Sequence, residues 1–182
     1  MMEYKELFIF VEGDDDELFF DAVKEEVFGD KYYSIKIIKY AQKPLNEVKK
    51  RLASIKALGE KGLGVEYIFV ADADKNRFPC ITARKEDIKR SYPFIDEDRI
   101  LIVEPEIESW YLAGVDDVNR RKLRIKPSSP DTNTLTKEQF DKLIPRSFIS
   151  RKAFLQALLD YFALQTARQN NRSFAYFLCK FN

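Results

Sequence analysis

Hydrophobic and polar positions along the chain follow two alternating periods. Short runs rich in β-branched and aromatic residues are typical of buried strands, and they lie at residues 5–11, 32–40, 65–71 and 99–103. Between the runs, apolar residues recur every three or four positions, as on the buried face of a helix. This spacing predicts helices at about residues 15–28, 44–58, 82–92 and 108–112.

The alternating order predicts an α/β fold. A strand that is followed by a helix and another strand forms a parallel pair with a right-handed crossover, so we expect a central, mostly parallel four-stranded sheet flanked by helices. From about Asp116 the pattern changes to a loop at 127–134 and to helices that begin near Thr136, Arg151 and Ser173. We therefore predict a sheet domain over residues 1–115 and a small helical C-terminal extension over residues 116–182.

Composition narrows the chemistry. The 182 residues include no histidine, which excludes a histidine general base, a Ser-His-Asp triad and a histidine-ligated zinc site. Cys80 and Cys179 are far apart in sequence and are expected to be ordinary thiols. No apolar run approaches the roughly 20 residues that cross a bilayer, and the N-terminal residues do not resemble a signal peptide. We expect a cytoplasmic protein without membrane attachment.

The charge is divided unevenly along the chain. Residues 1–115 carry 24 acidic and 18 basic side chains, a net charge of −6, whereas residues 116–182 carry 6 acidic and 13 basic side chains, a net charge of +7. A basic segment suits contact with the phosphates of DNA or RNA, and a solvated, charge-rich helical surface is the alternative. The predicted nucleic-acid contacts in this segment are Arg120, Arg121, Lys122, Arg124 and Lys126.

Three acidic clusters follow three of the predicted strands. They are residues 12–17, 72–74 and 104–108. Ligands of open α/β sheets bind beyond the carboxyl ends of the strands, and carboxylates brought together there repel one another unless a cation neutralises them. Oxygen ligands of this kind predict a site for Mg²⁺ or Mn²⁺.

Individual positions in the clusters differ in how they can act. Glu12 precedes a glycine that allows close approach of a ligand, and Asp16 lies four residues later and can point back to the same place. Asp72 and Asp74 share one face if the strand continues through them, although aspartates in turns also cap backbone amides. In the third cluster Glu108 is the predicted ligand. Asp14 and Asp15 are expected to favour the helix N-terminus instead.

Two cations follow the second cluster directly. Lys75 and Arg77 are placed to contact phosphate oxygens, with ordinary surface exposure as the alternative. The only tryptophan, Trp110, is expected to pack under the helix that carries Glu108.

The motifs resemble a known family. The pattern V-E-G-x-x-D-E at residues 11–17, followed by D-x-D at 72–74, resembles the TOPRIM domain of topoisomerases, bacterial primases and OLD-family nucleases. The segment E-P-E-I-E-S-W-Y-L-A-G at 104–114 is similar to an element of small RloB-like TOPRIM proteins linked to phage defence. The resemblance spans roughly residues 5–115 and implies a Rossmann-like sheet. It also implies a Mg²⁺ site formed by Glu12, Asp72 and Asp74, with Asp16 and Glu108 at further acidic positions.

The resemblance leads to a functional hypothesis. It implies a metal-dependent nuclease that cleaves DNA or RNA, in phage defence or nucleic-acid processing, with Glu12, Asp72 and Asp74 as catalytic residues. The chain has no G-x-x-x-x-G-K-[ST] motif and no room for a topoisomerase tyrosine domain, which disfavours those activities. The main alternative is a non-catalytic metal-dependent module that binds nucleic acid or a nucleotide as a subunit of a larger complex. An aspartyl-phosphate phosphatase is a more remote alternative, because the D-x-D of those enzymes follows the first strand, whereas in this chain it follows the third predicted strand.

Overall fold

The computed structural model describes residues 4–126 and 130–181, and these residues form two compact units with the boundary between Ile102 and Val103. In the first unit the elements are β1 (Glu6–Val11), α1 (Asp14–Phe28), β2 (Ser34–Lys39), α2 (Leu45–Glu60), β3 (Val65–Asp72), α3 (Ile81–Ser91), a 3-10 turn (Glu97–Arg99) and β4 (Ile100–Val103), which ends at the boundary. In the second unit the helices are α4 (Ile107–Ala113), α5 (Asp117–Lys122), α6 (Lys137–Asp141), α7 (Arg151–Leu159), α8 (Leu164–Asn170) and α9 (Arg172–Phe181).

The sheet confirms the predicted α/β class. Its strand order is β2-β1-β3-β4, and all four strands are parallel. In the register between β1 and β3, Phe10 lies opposite Phe69. The carboxyl ends of β1 and β3 are therefore neighbours, and the chain leaves both strands at the same edge of the sheet.

The central strands β1 and β3 bury most of their side chains on both faces of the sheet. Alternate residues of β1 and β3, such as Phe10 and Phe69, pack with Val48 and Leu52 of α2 and Ile88 of α3. The residues between them on β1 point to the opposite face and are also fully buried; they are Leu7, Ile9 and Val11. Burial on both sides fixes how the strands lie and where their carboxyl ends emerge.

The second unit is helical and is built around α4, which is buried along its whole length. Trp110 of α4 packs edge-on against Phe174 and in a stacked arrangement on Phe177, both of α9. Its indole N–H donates to Ser173 Oγ at 2.7 Å. The structure confirms that Trp110 is a packing residue.

One predicted helix is divided in the structure. The apolar spacing from Arg151 to Gln165 predicts a single helix, but α7 ends at Leu159 and α8 begins at Leu164. Between them, Ala163 N donates to Gly114 O at 2.9 Å, and the ring of Phe162 lies so close to Gly114 that a Cβ there would be 2.2 Å from it. Ala163 N therefore bonds to the residue that follows α4 and not to the carbonyl four residues before it, as a continuous helix would require.

The remaining differences concern short segments. The sequence pattern does not predict the helix α5. The predicted domain boundary at residue 115 falls just before this helix. Of the predicted loop at 127–134, residues 127–129 lie outside the described residues. In the rest of it, Asp131 Oδ1 accepts from the backbone N–H of Asn133 at 2.9 Å, and Thr134 N donates to Asp131 O at 3.0 Å. No helix of the described residues is both long and apolar enough to cross a bilayer.

Candidate metal centre

The carboxyl end of β1 leads directly into the first acidic cluster. Glu12 follows the last residue of β1, and Gly13 precedes α1 in an extended conformation. Asp16 turns back toward the strand, because its Oδ2 accepts from the Gly13 backbone N–H at 3.0 Å. Asp16 is only 5% exposed. The helix start therefore brings the Asp16 carboxylate back toward Glu12, as the spacing of four residues predicts.

Other carboxylates of this cluster have a different role. Asp14 and Glu17 both pair with the Lys39 ammonium of β2, at 2.7 Å and 3.0 Å. These pairs are exposed and lie in the first turn of α1, where the helix dipole favours negative charge. Asp14 and Glu17 thus act at the surface of the helix start.

At the carboxyl end of β3 the two aspartates lie in different backbone environments. Asp72 is the last residue of β3, and the strand does not continue to Asp74, whose φ is 49°. The carbonyl of Asp74 accepts from the backbone amides of Arg77 and Phe78 at 2.8 Å and 3.0 Å, which closes a turn. The alternation of a strand therefore does not place Asp74 on the same face as Asp72. Its participation in a metal site remains a prediction.

An arginine that sequence reasoning did not single out joins these segments. Arg84 of α3 donates through Nε to the Asp72 backbone carbonyl at 3.0 Å, and its Nη2 lies 4.0 Å from Glu12 Oε2. Its guanidinium is also 3.4 Å from Asp87 and lies over the ring of Phe78. The side chain is only 13% exposed. In the sequence Arg84 looks like any charged residue of an amphipathic helix, so no local pattern could have identified it.

Tyr40 lies beside the same carboxylates. Its hydroxyl donates to Val70 O at 3.0 Å, and its ring stacks on Phe69 at 4.5 Å. Burial raises the pKa of Tyr40 well above its usual value, and the charges of Glu12 and Asp16 raise it further, whereas Arg84 acts in the opposite direction. Tyr40 therefore stays a neutral donor next to the acidic residues.

Glu12, Asp16 and Asp72 lie at or just after the carboxyl ends of β1 and β3, and Arg84 contacts Glu12 and the backbone of Asp72; these four residues are called the acidic cluster below. Each of its carboxylates has one oxygen shielded from solvent, namely Glu12 Oε2, Asp16 Oδ1 and Asp72 Oδ1. The shielded Glu12 oxygen accepts no hydrogen bond from the described residues, and leaving such an atom unsatisfied is unfavourable.

Hard carboxylate oxygens of this kind fit the donor preference of Mg²⁺ and Mn²⁺. Within residues 4–126 and 130–181, however, no three acidic or cysteine side chains form a ready-made metal-binding group. The structure thus supplies suitable donors without a completed set of ligands.

Glu108 belongs to the second unit and is bound by cations of that unit. Its side chain is 3% exposed, lies 2.5 Å from the Arg151 guanidinium and is 3.7 Å from the Lys137 ammonium. The adjacent Glu106 accepts from the Lys137 backbone N–H. Burial raises the pKa of Glu106, and the charge of Glu108 acts in the same direction. Metal binding by Glu108 remains a prediction, and the contacts of its carboxylate are with basic residues.

The predicted phosphate contacts are mostly exposed. Lys75 and Arg77 lie on the surface of the turn after β3. Arg120 is different, because its guanidinium donates to Leu112 O at 2.9 Å and to Val115 O at 2.8 Å, and burial lowers its pKa. It satisfies carbonyls at the end of α4. The other predicted contacts of the C-terminal segment are exposed; they are Arg121, Lys122, Arg124 and Lys126.

Comparison with known proteins gives one structural similarity. No protein-family model matches the chain, and no match is found among curated protein sequences. Among solved structures, the C-terminal region of the OLD protein of Xanthomonas campestris pv. campestris is similar, with 17% sequence identity over 98% of this chain and 98% of that chain and a TM-score of 0.47.

Proposed function

We propose that this protein is a divalent-metal-dependent phosphoryl-transfer enzyme that hydrolyses phosphodiester bonds of DNA or RNA. The observation that carries the proposal is the shielded Glu12 oxygen, which accepts no hydrogen bond from the described residues and lies in an acidic cluster at the carboxyl edge of a parallel sheet. This edge is where open α/β sheets bind their ligands. The resemblance of residues 11–17 and 72–74 to TOPRIM motifs supports the same assignment.

The roles of the residues follow from their positions. Glu12 and Asp72 would hold the cation, and Glu12 would also take up or release a proton. Asp16 and Asp74 would complete the set of ligands, and Glu108 stays a predicted ligand of a second metal position. A bound Mg²⁺ or Mn²⁺ would supply polarisation of the phosphodiester and a lowered pKa of bound water. The Arg84 guanidinium offsets part of the negative charge of the cluster.

The experiment uses the purified full chain with Mg²⁺, Mn²⁺ or EDTA and a panel of single- and double-stranded DNA and RNA. We expect cleavage only with metal, and we expect Glu12→Gln and Asp72→Asn to reduce it to background. Asp30→Asn is the matched control, because Asp30 is an exposed aspartate. Binding of Mn²⁺ measured by calorimetry should be lost in the same two variants. Equal cleavage by the wild type and Asp72→Asn, or no cleavage of any substrate, would contradict the proposal.

The second candidate function is a metal-dependent module that binds nucleic acid or a nucleotide without cleaving it. Two observations favour it, namely the guanidinium already placed among the carboxylates and the lack of a completed three-ligand group in the described residues. In the same assay it predicts metal-dependent binding of an oligonucleotide that stays intact. Loss of that binding in Asp72→Asn, with no cleavage by the wild type, would decide in its favour.

A further inference from the structure

The loop between α6 and α7 presents an apolar side chain almost completely to solvent. Ile149 is 97% exposed, the largest value among the large hydrophobic side chains of the described residues. Single exposed apolar residues are common on protein surfaces. Ile149 calls for an explanation because the residues around it are firmly held.

The ends of this loop are tied together. The Arg151 guanidinium, at the start of α7, lies 2.8 Å from Asp141 Oδ1, at the end of α6, and its other amino group binds the buried Glu108. Between these ends, Phe148 N donates to Pro145 O at 3.1 Å and forms a turn. The loop therefore has a defined course with its base fixed to α4.

Both neighbours of Ile149 are also anchored. The ring of Phe148 packs edge-on against Phe154 of α7 at 5.0 Å. Ser150 caps α7, since its Oγ accepts from the Ala153 backbone N–H at 3.1 Å. Because the residues on either side are fixed, the position of Ile149 is largely determined before any partner binds, which lowers the entropy cost of binding.

The charged residues from position 142 to 152 are all basic. Residues 142–152 carry four basic side chains and no acidic one. Arg151 is engaged in the ion pairs described above, whereas Lys142, Arg146 and Lys152 are exposed. Such a segment repels cationic partners and attracts a polyanion.

We propose that residues 142–152 form a nucleic-acid contact in which Ile149 packs against the face of an unstacked base and Arg146 contacts a neighbouring phosphate. Apolar side chains inserted beside bases and cations placed on phosphates are the two complementary elements of such contacts. The identification of the partner as nucleic acid rests on the proposed function. None of these residues belongs to the acidic cluster or to the predicted basic residues 120–126.

The test measures binding of a fluorescent single-stranded oligonucleotide that contains 2-aminopurine, in EDTA so that no metal-dependent cleavage occurs. We expect Ile149→Ala to weaken binding about tenfold through the apolar area that is no longer buried, without changing the dependence on salt. Arg146→Ala should instead reduce the slope of log K against log salt by about 1. The increase in 2-aminopurine fluorescence on binding, which reports unstacking, should be lost in Ile149→Ala and retained in Ile149→Leu.

The matched control is Leu63→Ala, which removes the same number of carbon atoms from a side chain that is 57% exposed in the first unit. Equal affinity of Ile149→Ala and wild type, or equal weakening by Leu63→Ala, would overturn the inference. So would a wild type that binds no oligonucleotide, or a change of oligomeric state in Ile149→Ala measured by sedimentation with nucleic-acid binding unchanged.

The two proposals fail in different ways. If the wild type cleaves nucleic acid with metal while Ile149→Ala binds like the wild type, the loop contact is wrong and the proposed enzyme stands. If the wild type binds through Ile149 but cleaves nothing, the enzyme is wrong and the contact stands. Because Ile149 makes almost no contact with the rest of the chain, its variants should unfold at the wild-type urea concentration, which is checked in parallel.

Discussion

In the ion pair between Glu108 and Arg151, removing the arginine should destabilise the second unit more than removing the glutamate. Glu108 is nearly inaccessible to solvent at 3% exposure, whereas Arg151 is 26% exposed and has Asp141 as another partner. If Arg151 is replaced by methionine, the cation that stays near the buried carboxylate among the described residues is the more distant Lys137, at 3.7 Å. If Glu108 is replaced by glutamine, the arginine keeps Asp141 and water.

The magnitudes follow from this difference in burial. Removing one partner of a fully buried pair costs about 3–5 kcal/mol, so we expect about 3 kcal/mol for Arg151→Met, at the low end because Arg151 is partly exposed. For Glu108→Gln we expect about 1–2 kcal/mol, because the remaining charge is still solvated. The double variant should be less destabilised than the two single changes taken together, as residues in direct contact are coupled.

Urea unfolding followed by tryptophan fluorescence is the assay. The only tryptophan, Trp110, is completely buried in the same unit as the pair and reports its unfolding. Lys152→Met is the control, because Lys152 is the exposed neighbour of Arg151. An unfolding midpoint of Arg151→Met equal to that of the wild type, or a larger loss in Glu108→Gln, would refute the reasoning. The same variants address metal binding, because a midpoint that Mg²⁺ raises in the wild type but not in Glu108→Gln would identify Glu108 as a ligand.

Three further predictions concern packing, pH and a buried hydroxyl. Gly114→Ala places a Cβ 2.2 Å from the Phe162 ring, so we expect about 1–3 kcal/mol of destabilisation in the same urea assay. Burial opposes ionisation of Asp96, but hydrogen bonds from Lys56 and a neighbouring tyrosine outweigh it and lower the pKa of the carboxyl. The resulting stabilisation is present above the unfolded-state pKa of 3.8 and is lost as the pH falls through the lowered folded-state pKa. Asp96→Asn should therefore lower the unfolding midpoint at pH 7 and much less at pH 2.5. Tyr40→Phe removes a hydroxyl that donates at 3.0 Å to a β3 carbonyl and should cost about 1 kcal/mol by the same measurement.

The sheet could be predicted from the sequence because its cause is local. Runs such as residues 67–71 are apolar on both faces, and only a strand covered on both sides buries all of them. The division between α7 and α8 could not be predicted from the sequence, because the apolar spacing continues through it. Its cause is a contact with Gly114, far away along the chain. Tertiary contacts of this kind override local periodicity and leave no local signal.

The candidate site shows the same limit. The positions of Glu12 and Asp72 follow from strand ends, which the sequence marks clearly. The position of Asp74 does not follow from the strand end, because the prediction assumes an extended backbone and the chain instead turns there with a positive φ. The sequence does not identify Arg84, because a charged residue on an amphipathic helix carries no sign of the strand end that its side chain will contact.

Arg84 also changes how the acidic cluster is understood. The guanidinium lies 4.0 Å from Glu12 Oε2, too far for a hydrogen bond, and donates instead to the backbone of Asp72. It therefore reduces the repulsion within the cluster while leaving the Glu12 oxygen available to another ligand. The proposed function uses this open acceptor, because a cation bound at the cluster would take the position that no hydrogen bond from the described residues fills.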